Sequence, residues 1–196
     1  GGTVVAGVST VSTSAFMVIP SGDTAIRGAG SGRGIIAGGA ESLSSPYTIS
    51  DRMQYITIST TGNSIDFGNL SLARYYVRGT ASSTRGVFAG GTSPGPAVTN
   101  VIDFVTISSG GGANDFGDMS IVRNGVAAFG NETRGILAGG YTTVDTTQTS
   151  LMEFVTIATT GNASDFGTLS ESREIMAGFA SPTRGIIAGG AQGATV

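Results

Sequence analysis

Three aspartates and three arginines recur at a fixed spacing, and their side chains are the ones in this chain best suited to chemistry. Asp66, Asp115 and Asp165 are each followed, eight residues later, by Arg74, Arg123 and Arg173. A carboxylate can act as a general acid or base, and a nearby guanidinium would hold it ionised. A catalytic residue is singular, whereas a residue present in every repeat is typical of scaffolding. We therefore predict a repeated structural ion pair or turn cap.

A second set of arginines could bind an anion. Arg33, Arg85, Arg134 and Arg184 each begin an Arg-Gly-x-x-Ala-Gly-Gly motif. Guanidinium groups suit carboxylate and phosphate, so a ring of them on one face could hold such a group. The interpretation that we favour is structural: each arginine donates hydrogen bonds to backbone carbonyls of a neighbouring unit.

The composition excludes most catalytic centres. The chain has no His, Cys, Lys or Trp, and all 10 of its cationic residues are Arg. A Ser–His–Asp triad, a thiolate metal site and a Schiff-base lysine are therefore impossible. The net charge of −3 argues against a nucleic-acid-binding face. No apolar run approaches the about eighteen residues of a membrane span. From these features together we expect no cofactor, no metal, and no nucleic-acid or membrane partner.

The fixed spacing reflects an internal repeat. The four Arg-Gly motifs are 52, 49 and 50 residues apart, and the three Asp-Phe-Gly tripeptides are 49 and 50 apart. Within one unit, short β-prone segments alternate with turn-rich connections, and helical periodicity is absent. In the unit from Arg74 onward these segments are 75–80, 86–89, 101–107 and the residues around Phe116. We predict an all-β fold with four short antiparallel strands per unit.

This pattern resembles the kelch repeat of β-propellers over residues 25–190. That family has a period near fifty and four strands per blade. It also has a diglycine after the second strand, aromatics in the third strand and near the fourth, and an arginine before the first. The matching residues are the diglycines 38–39, 90–91, 139–140 and 189–190, then Tyr55, Phe104, Phe154, Phe67, Phe116 and Phe166, and finally Arg74, Arg123 and Arg173. Phe stands near the fourth strand, where kelch repeats usually carry Trp.

The sequences of these motifs are similar to those of a narrower group, the kelch-like repeats of marine tailed-phage virion proteins. The shared text is Thr-Ile-x-Thr-Thr-Gly-Asn-x-x-Asp-Phe-Gly, at 57–68 and 156–167, followed by Thr-Arg-Gly-x-x-Ala-Gly-Gly. The resemblance implies a non-enzymatic structural protein of a tail fibre, appendage or decoration, in the virion or outside the cell. Its implied partners are other virion proteins or copies of itself, and a glycan or receptor on the host surface.

The repeats divide the chain into three complete units and one partial unit. We define unit 1 as 25–70, unit 2 as 73–119, unit 3 as 123–169 and the partial unit 4 as 173–190. We expect a single repeat domain over 1–196, a kelch-like propeller of about four blades. Closure of the ring would remove exposed sheet edges, through a strand from 15–24 or through another copy. A section of a larger ring is the alternative.

The loops that differ most between units suggest another function. They span 40–52, 92–100 and 141–150, and contain Tyr47 and Tyr141, the candidate binding residues. Variable loops on one face of a repeat fold carry recognition, so the alternative is a monomeric carbohydrate- or receptor-binding propeller. An enzyme would need a pair of non-repeated carboxylates. The loop-side candidates form no pair by spacing; they are Glu41, Asp145 and Glu153.

Substitutions of the repeated arginine and of a loop aspartate should have different effects on the melting temperature. If Arg123 holds the fold together, Arg123→Ala lowers the melting temperature, whereas Asp145→Ala in a variable loop leaves it unchanged. Thermal unfolding followed by circular dichroism measures both variants. Equal melting temperatures would contradict a structural role for the repeated arginine.

Overall fold

A computed structural model of the chain describes residues 32–42, 48–95 and 97–193. Within these ranges the chain forms β-strands and no helix, and every strand pairing is antiparallel, which confirms the predicted all-β class. None of these residues belongs to a helix long and apolar enough to cross a membrane. The predicted closing segment 15–24, the expected first strand of unit 1, and Tyr47 lie outside the described residues.

Units 2 and 3 each form a four-stranded antiparallel sheet, in which the four strands lie side by side in the order of the chain. The strands of unit 2 are Arg78–Ala81, Arg85–Ala89, Val101–Thr106 and Asn114–Asp118. The strands of unit 3 are Ala127–Gly130, Arg134–Ala138, Leu151–Thr156 and Ser164–Thr168. Four strands per unit, as the sequence predicts, are thus present in both middle units.

The two outer units are partial among the described residues. Unit 1 contributes its second, third and fourth strands, Arg33–Ala37, Arg52–Thr57 and Ile65–Asn69. Unit 4 contributes its first and second strands, Ala177–Ala180 and Gly185–Ala188, which pair as a hairpin. The sheet of unit 4 therefore ends at its second strand in the part of the chain that the structure describes.

Two local features differ from the sequence prediction. The first strand of unit 2 begins at Arg78 instead of Tyr75, because Tyr76 adopts a left-handed conformation with φ of 57°. The variable loops are also more regular than expected, since each folds into a short two-stranded ribbon. The ribbons are Ala40–Ser42 with Thr48–Ile49, Thr92–Ser93 with Ala97–Val98, and Tyr141–Thr142 with Thr147–Gln148.

Successive units pack face to face through an aromatic side chain of the fourth strand. Phe67 of unit 1 lies against Phe88 and Val105 of unit 2. The equivalent Phe116 of unit 2 packs against the aliphatic side chains of unit 3, including Val155. Backbone hydrogen bonds join the same edges, because turn glycines of the next unit donate to the carbonyl oxygens of Phe67 and Phe116, at 2.6 and 2.7 Å. Burial of apolar surface between units therefore supplies much of the core.

The diglycine lies where one unit meets the next. Gly90 and Gly91 both have positive φ, 65° and 110°, a region that favours glycine. The Gly91 amide donates to the carbonyl oxygen of Arg123 in unit 3 at 3.0 Å. A Cβ on Gly90 would collide with that same carbonyl and lie 2.9 Å from Cε of Met119. The repeat thus needs glycine here both for its backbone conformation and for close approach of the next unit.

Alanine at two equivalent glycines separates these two requirements. Gly189 is the unit 4 counterpart of Gly90; its φ is 70°, and an added Cβ would meet no atom within 4 Å among the described residues. We expect Gly189→Ala to cost about 1–2 kcal/mol of unfolding free energy through the left-handed backbone alone. Gly90→Ala should cost about 1–3 kcal/mol more, because the neighbouring unit must move. Urea denaturation measures the difference, and equal costs would contradict the inter-unit role.

Candidate functional site

The first candidate site is a buried ion pair in unit 2. Nη2 of Arg74 lies 2.8 Å from Oδ2 of Asp103, and both side chains are fully buried. The same guanidinium donates to the carbonyl oxygens of Val101, at 2.7 Å, and Phe88, at 3.4 Å. Ser71 donates to the carboxylate from its amide, at 3.2 Å, and from its hydroxyl, at 2.6 Å. The pair therefore joins the linker before the first strand to the second and third strands.

Unit 3 repeats this construction with a longer acid. Nη2 of Arg123 pairs with Oε2 of Glu153, and both side chains are almost completely buried. Nη1 donates to the carbonyl oxygens of Gly139 and Leu151 at 2.9 and 3.0 Å. The amide of Ser120 donates to Oε1 of the acid at 3.0 Å. We call this arrangement of linker arginine, linker serine and third-strand acid the node of a unit.

The electrostatics of the nodes indicate a structural role. Burial lowers the pKa of Arg74 and of Arg123, and the facing carboxylates of Asp103 and Glu153 oppose that shift. Arginine is the most strongly basic side chain and each one here faces a carboxylate, so both guanidinium groups keep their charge at neutral pH. A charged pair sealed from solvent cannot reach a substrate. Removing one partner would instead leave an uncompensated buried charge.

The predicted pairing within each Asp–x₇–Arg motif is wrong. Asp66, Asp115 and Asp165 are exposed on the fourth strands, and the acids that pair with Arg74 and Arg123 come from the third strands. The reason is side-chain alternation: in units 1 and 2 the phenylalanine after the aspartate points into the interface, so the aspartate points outward. The third arginine, Arg173, pairs with Glu171 at 2.6 Å in an exposed setting.

Sequence reasoning missed the true partners, Asp103 and Glu153, and placed Glu153 on a variable loop. A signal was present, because both acids occupy the same position of an otherwise apolar strand, fifty residues apart. The register shift here lies in the fourth strand, where Phe116 has no pairing partner, so the third strand keeps its alternation and Asp103 shares a face with the buried Val105. In unit 1 both node positions carry uncharged residues. Gln54 stands in place of the acid, and Gly22, eleven residues before Arg33 as Arg74 is before Arg85, stands in place of the arginine.

Two of the four arginines that begin the second strands, Arg33 and Arg85, make the predicted inter-unit hydrogen bonds. Nη1 of Arg33 donates to the carbonyl oxygen of Ile107 in unit 2 at 2.9 Å, and its guanidinium lies 4.4 Å from the ring centroid of Tyr55. Arg85 repeats both contacts, with a carbonyl of unit 3 at 3.0 Å and the aromatic ring of its own third strand at 4.3 Å. Among the described residues Arg134 makes the stacking contact alone, 4.5 Å from the ring centroid of Phe154.

A cavity of about 790 Å³ lies where the turns between first and second strands meet. Ile58 of unit 1, Ser82 of unit 2, Asn131 of unit 3 and Pro182 of unit 4 all contribute to its wall. The turns are linked, since Nδ2 of Asn131 donates to the carbonyl oxygen of Pro182 at 2.9 Å. Arg33 also lines this cavity, but its guanidinium already makes the hydrogen bond and stacking contact described above.

The candidate binding residue Tyr141 is half-buried at the base of a ribbon, where it pairs with Gln148 and forms a bridge to Asn124. The tip of that ribbon carries Val144, whose side chain is 65% exposed. Among the residues described, no group of His, Cys, Asp or Glu is arranged to hold a metal ion.

A double-mutant cycle on the unit 3 node tests its role. Glu153→Leu leaves Arg123 buried without a counter-charge, so we expect a loss of about 3–5 kcal/mol in unfolding free energy. Combining it with Arg123→Met removes both charges, and the double variant should be more stable than Glu153→Leu alone.

The matched control is Arg173→Ala, which removes the equivalent arginine from an exposed pair and should cost less than about 1 kcal/mol. Chemical denaturation gives the unfolding free energies of the wild type, Glu153→Leu, Arg123→Met, the double variant and this control. A double variant that loses the sum of the two single losses would show that the two side chains do not interact.

Comparisons with known proteins do not place this chain in a family. No protein-family model matches the sequence, and no curated protein matches it significantly. The function proposed below is therefore argued from the repeat and from the contacts of its side chains.

Proposed function

We propose that this chain is a non-enzymatic structural protein of a phage virion, a kelch-like module of a tail fibre, appendage or decoration. The main support is the use that the fold makes of its recurring arginines. Arg74 and Arg123 are buried in nodes, and Arg33 and Arg85 donate to the neighbouring unit. Side chains that could have done chemistry thus hold strands and units together, which suits a protein whose job is to be rigid.

The finer fold proposal is a β-propeller of about four blades. Its support is the arrangement of the first strands, since Ala127–Gly130 of unit 3 lies between Arg78–Ala81 of unit 2 and Ala177–Ala180 of unit 4. The adjoining turns of all four units also border one cavity. First strands that surround a common axis are expected in a propeller, and the ring would be closed by residues 15–24 or by another copy.

An exposed apolar side chain on unit 4 supports assembly with copies of this chain or with other virion proteins. Phe129 of unit 3 packs against Gly178 and Gly185 of unit 4. Phe179 holds the same position in unit 4, and its side chain is 57% exposed. Because the same surface is covered wherever a next unit follows, we propose that an adjoining subunit covers Phe179 in the virion.

The alternative function is a carbohydrate- or receptor-binding module that works as a monomer in host attachment. The three ribbons favour it, because all follow the second strand of their unit and differ in sequence. The exposed tip at Val144 would then be part of the recognition surface. On the described residues of these ribbons the aromatic side chain is Tyr141, which is half-buried, so a strong sugar platform is the weaker form of this alternative.

The mass of the native particle distinguishes the two functions. We expect light scattering to find an assembly of several copies, heavier than the 19.5 kDa of one chain. Phe179→Asp should reduce the mass toward a single chain, because a charge would replace the apolar contact. Val144→Asp, which places the same charge on an exposed ribbon, is the matched control and should leave the mass unchanged.

A wild-type mass of one chain would contradict the structural proposal and favour the monomeric binding module. Equal effects of the two substitutions would show that the end surface near Phe179 is not the contact.

A further inference from the structure

The two residues that follow each node arginine position keep one backbone conformation in units 2, 3 and 4. The first of them forms a bridge to the residue after the diglycine of its own unit. The second has a left-handed backbone, with φ of 57° at Tyr76, 61° at Gly125 and 55° at Ile175. The amide of Gly125 donates to the carbonyl oxygen of Tyr76 at 3.3 Å, and the amide of Ile175 donates to that of Gly125 at 2.7 Å. We call the three pairs, 75–76, 124–125 and 174–175, the linker row.

The side chains of the linker row differ between units, although the backbone repeats. The arginine directly before each pair is the same in all three units, whereas the row itself combines aromatic, amide, acidic, aliphatic and glycine residues. The first position carries Tyr75, Asn124 and Glu174. A scaffold position keeps its residue type from unit to unit, as the diglycines do. Side chains that vary on a constant backbone are typical of recognition.

Tyr76 has an unfavourable backbone conformation for its residue type. The left-handed region disfavours a bulky side chain, and unit 3 meets the same requirement with Gly125. The side chain of Tyr76 is 42% exposed, and its ring centroid lies 4.8 Å from that of the half-buried Tyr75. Strained residues of this kind cluster at ligand-binding sites. The fold accepts glycine at this position, so the tyrosine ring serves a purpose other than folding.

The ring of Tyr76 is open to solvent because the next unit has glycine in the row. Cγ1 of Ile175 lies 3.3 Å from the place of a Cβ on Gly125, so the side chain of unit 4 covers its neighbour in unit 3. Gly125 has no side chain with which to cover Tyr76 in the same way. The opening lies between units 2 and 3, whose sheets both have four strands.

Hydrogen-bonding side chains border the opening over Gly125. Nδ2 of Asn124 donates to Oγ1 of Thr92 at 2.7 Å, which fixes the plane of the Asn124 amide. Oε1 of Glu174 accepts from Nε2 of Gln148 at 2.8 Å, and Oε2 of the same acid lies 3.8 Å from the place of a Cβ on Gly125. An aromatic residue therefore precedes the opening in the row, and a carboxylate held by hydrogen bonding follows it.

We propose that the linker row binds one sugar ring of a carbohydrate. The apolar C–H face of the sugar stacks on Tyr76, and its hydroxyls donate to the carboxylate of Glu174 and bond to the amide of Asn124. A sugar has both an apolar face and a rim of hydroxyls, so it uses the ring and the polar groups together. A purely apolar ligand would instead remove the carboxylate from water without a partner.

The proposal rests on the carbohydrate-binding function given above as the alternative. It places that function on the linker row instead of on the ribbon tips, where Tyr141 is half-buried. Assembly into a virion is a separate matter, which the mass of the particle tests on its own.

Saturation-transfer difference NMR of the whole chain tests the site. The probes are the methyl glycosides of glucose, galactose, mannose and N-acetylglucosamine, and tetramethylammonium is the cationic comparison. We expect at least one glycoside to bind. Tyr76→Gly and Glu174→Gln should each weaken binding at least about tenfold, which corresponds to 1.4 kcal/mol. Tyr76→Phe keeps the ring and should bind like the wild type.

Two control variants change similar residues outside the row. Glu171→Gln removes an acid of the same linker, and Thr146→Gly places glycine at a left-handed position of a ribbon, where φ is 51°. Both should bind like the wild type. Circular dichroism melting should show Tyr76→Gly to be folded and no less stable than the wild type, because unit 3 has glycine at this position. A large loss of stability would assign the ring to the fold and overturn the proposal.

The remaining outcomes separate the site from the function. A glycoside that binds equally to the wild type and to Tyr76→Gly would overturn the site and leave carbohydrate binding in place. Absence of binding by all four glycosides would overturn both. Binding of tetramethylammonium alone, lost in Glu174→Gln, would overturn the ligand class and assign the row to a cation.

Discussion

The structure depends on one buried charged interaction, the pairing of a linker arginine with an acid in the third strand of the same unit. Neither charge is stable in the interior alone, because burial removes it from water. The arginine also donates to carbonyl oxygens of the second and third strands, and a linker serine donates to the acid. A node therefore forms only when three separate segments are folded together, and this makes a unit of small, short strands cooperative.

The nodes also explain how the units are held in order. The arginine of a node lies in the linker from the preceding unit, and its backbone carbonyl accepts from the second glycine of that unit's diglycine. Its position is thus shared by two neighbouring units, while the fourth-strand phenylalanine buries apolar surface across the same interface. In unit 4, of which the described residues form only the first two strands, Arg173 is partly exposed, and Phe166 of unit 3 is exposed as well.

Much of the fold could be predicted from the sequence, because a fifty-residue repeat with β-prone segments and diglycines allows few alternatives. The site could not, for two local reasons. Asp103 and Glu153 follow the ordinary alternation of their strands and share a face with the buried Val105 and Val155, but an acid in a strand is normally expected to face solvent. The left-handed Tyr76 delays the first strand, and no glycine marks that position in unit 2. The regular spacing of the Asp-Phe-Gly motif predicted a structural role for its aspartates, although Phe67 and Phe116 contribute the buried side chains there.

Native-state hydrogen exchange of the linker serine amides tests most directly whether the nodes hold the fold together. The amides of Ser71 and Ser120 donate to buried carboxylates of nodes, whereas the amide of Ser170, their counterpart in the linker to unit 4, has no such acceptor among the described residues. The account predicts that the first two exchange only through opening of the whole domain, and that Ser170 exchanges far faster through local opening. Equal and weak protection at all three serines would contradict the central role of the buried ion pair.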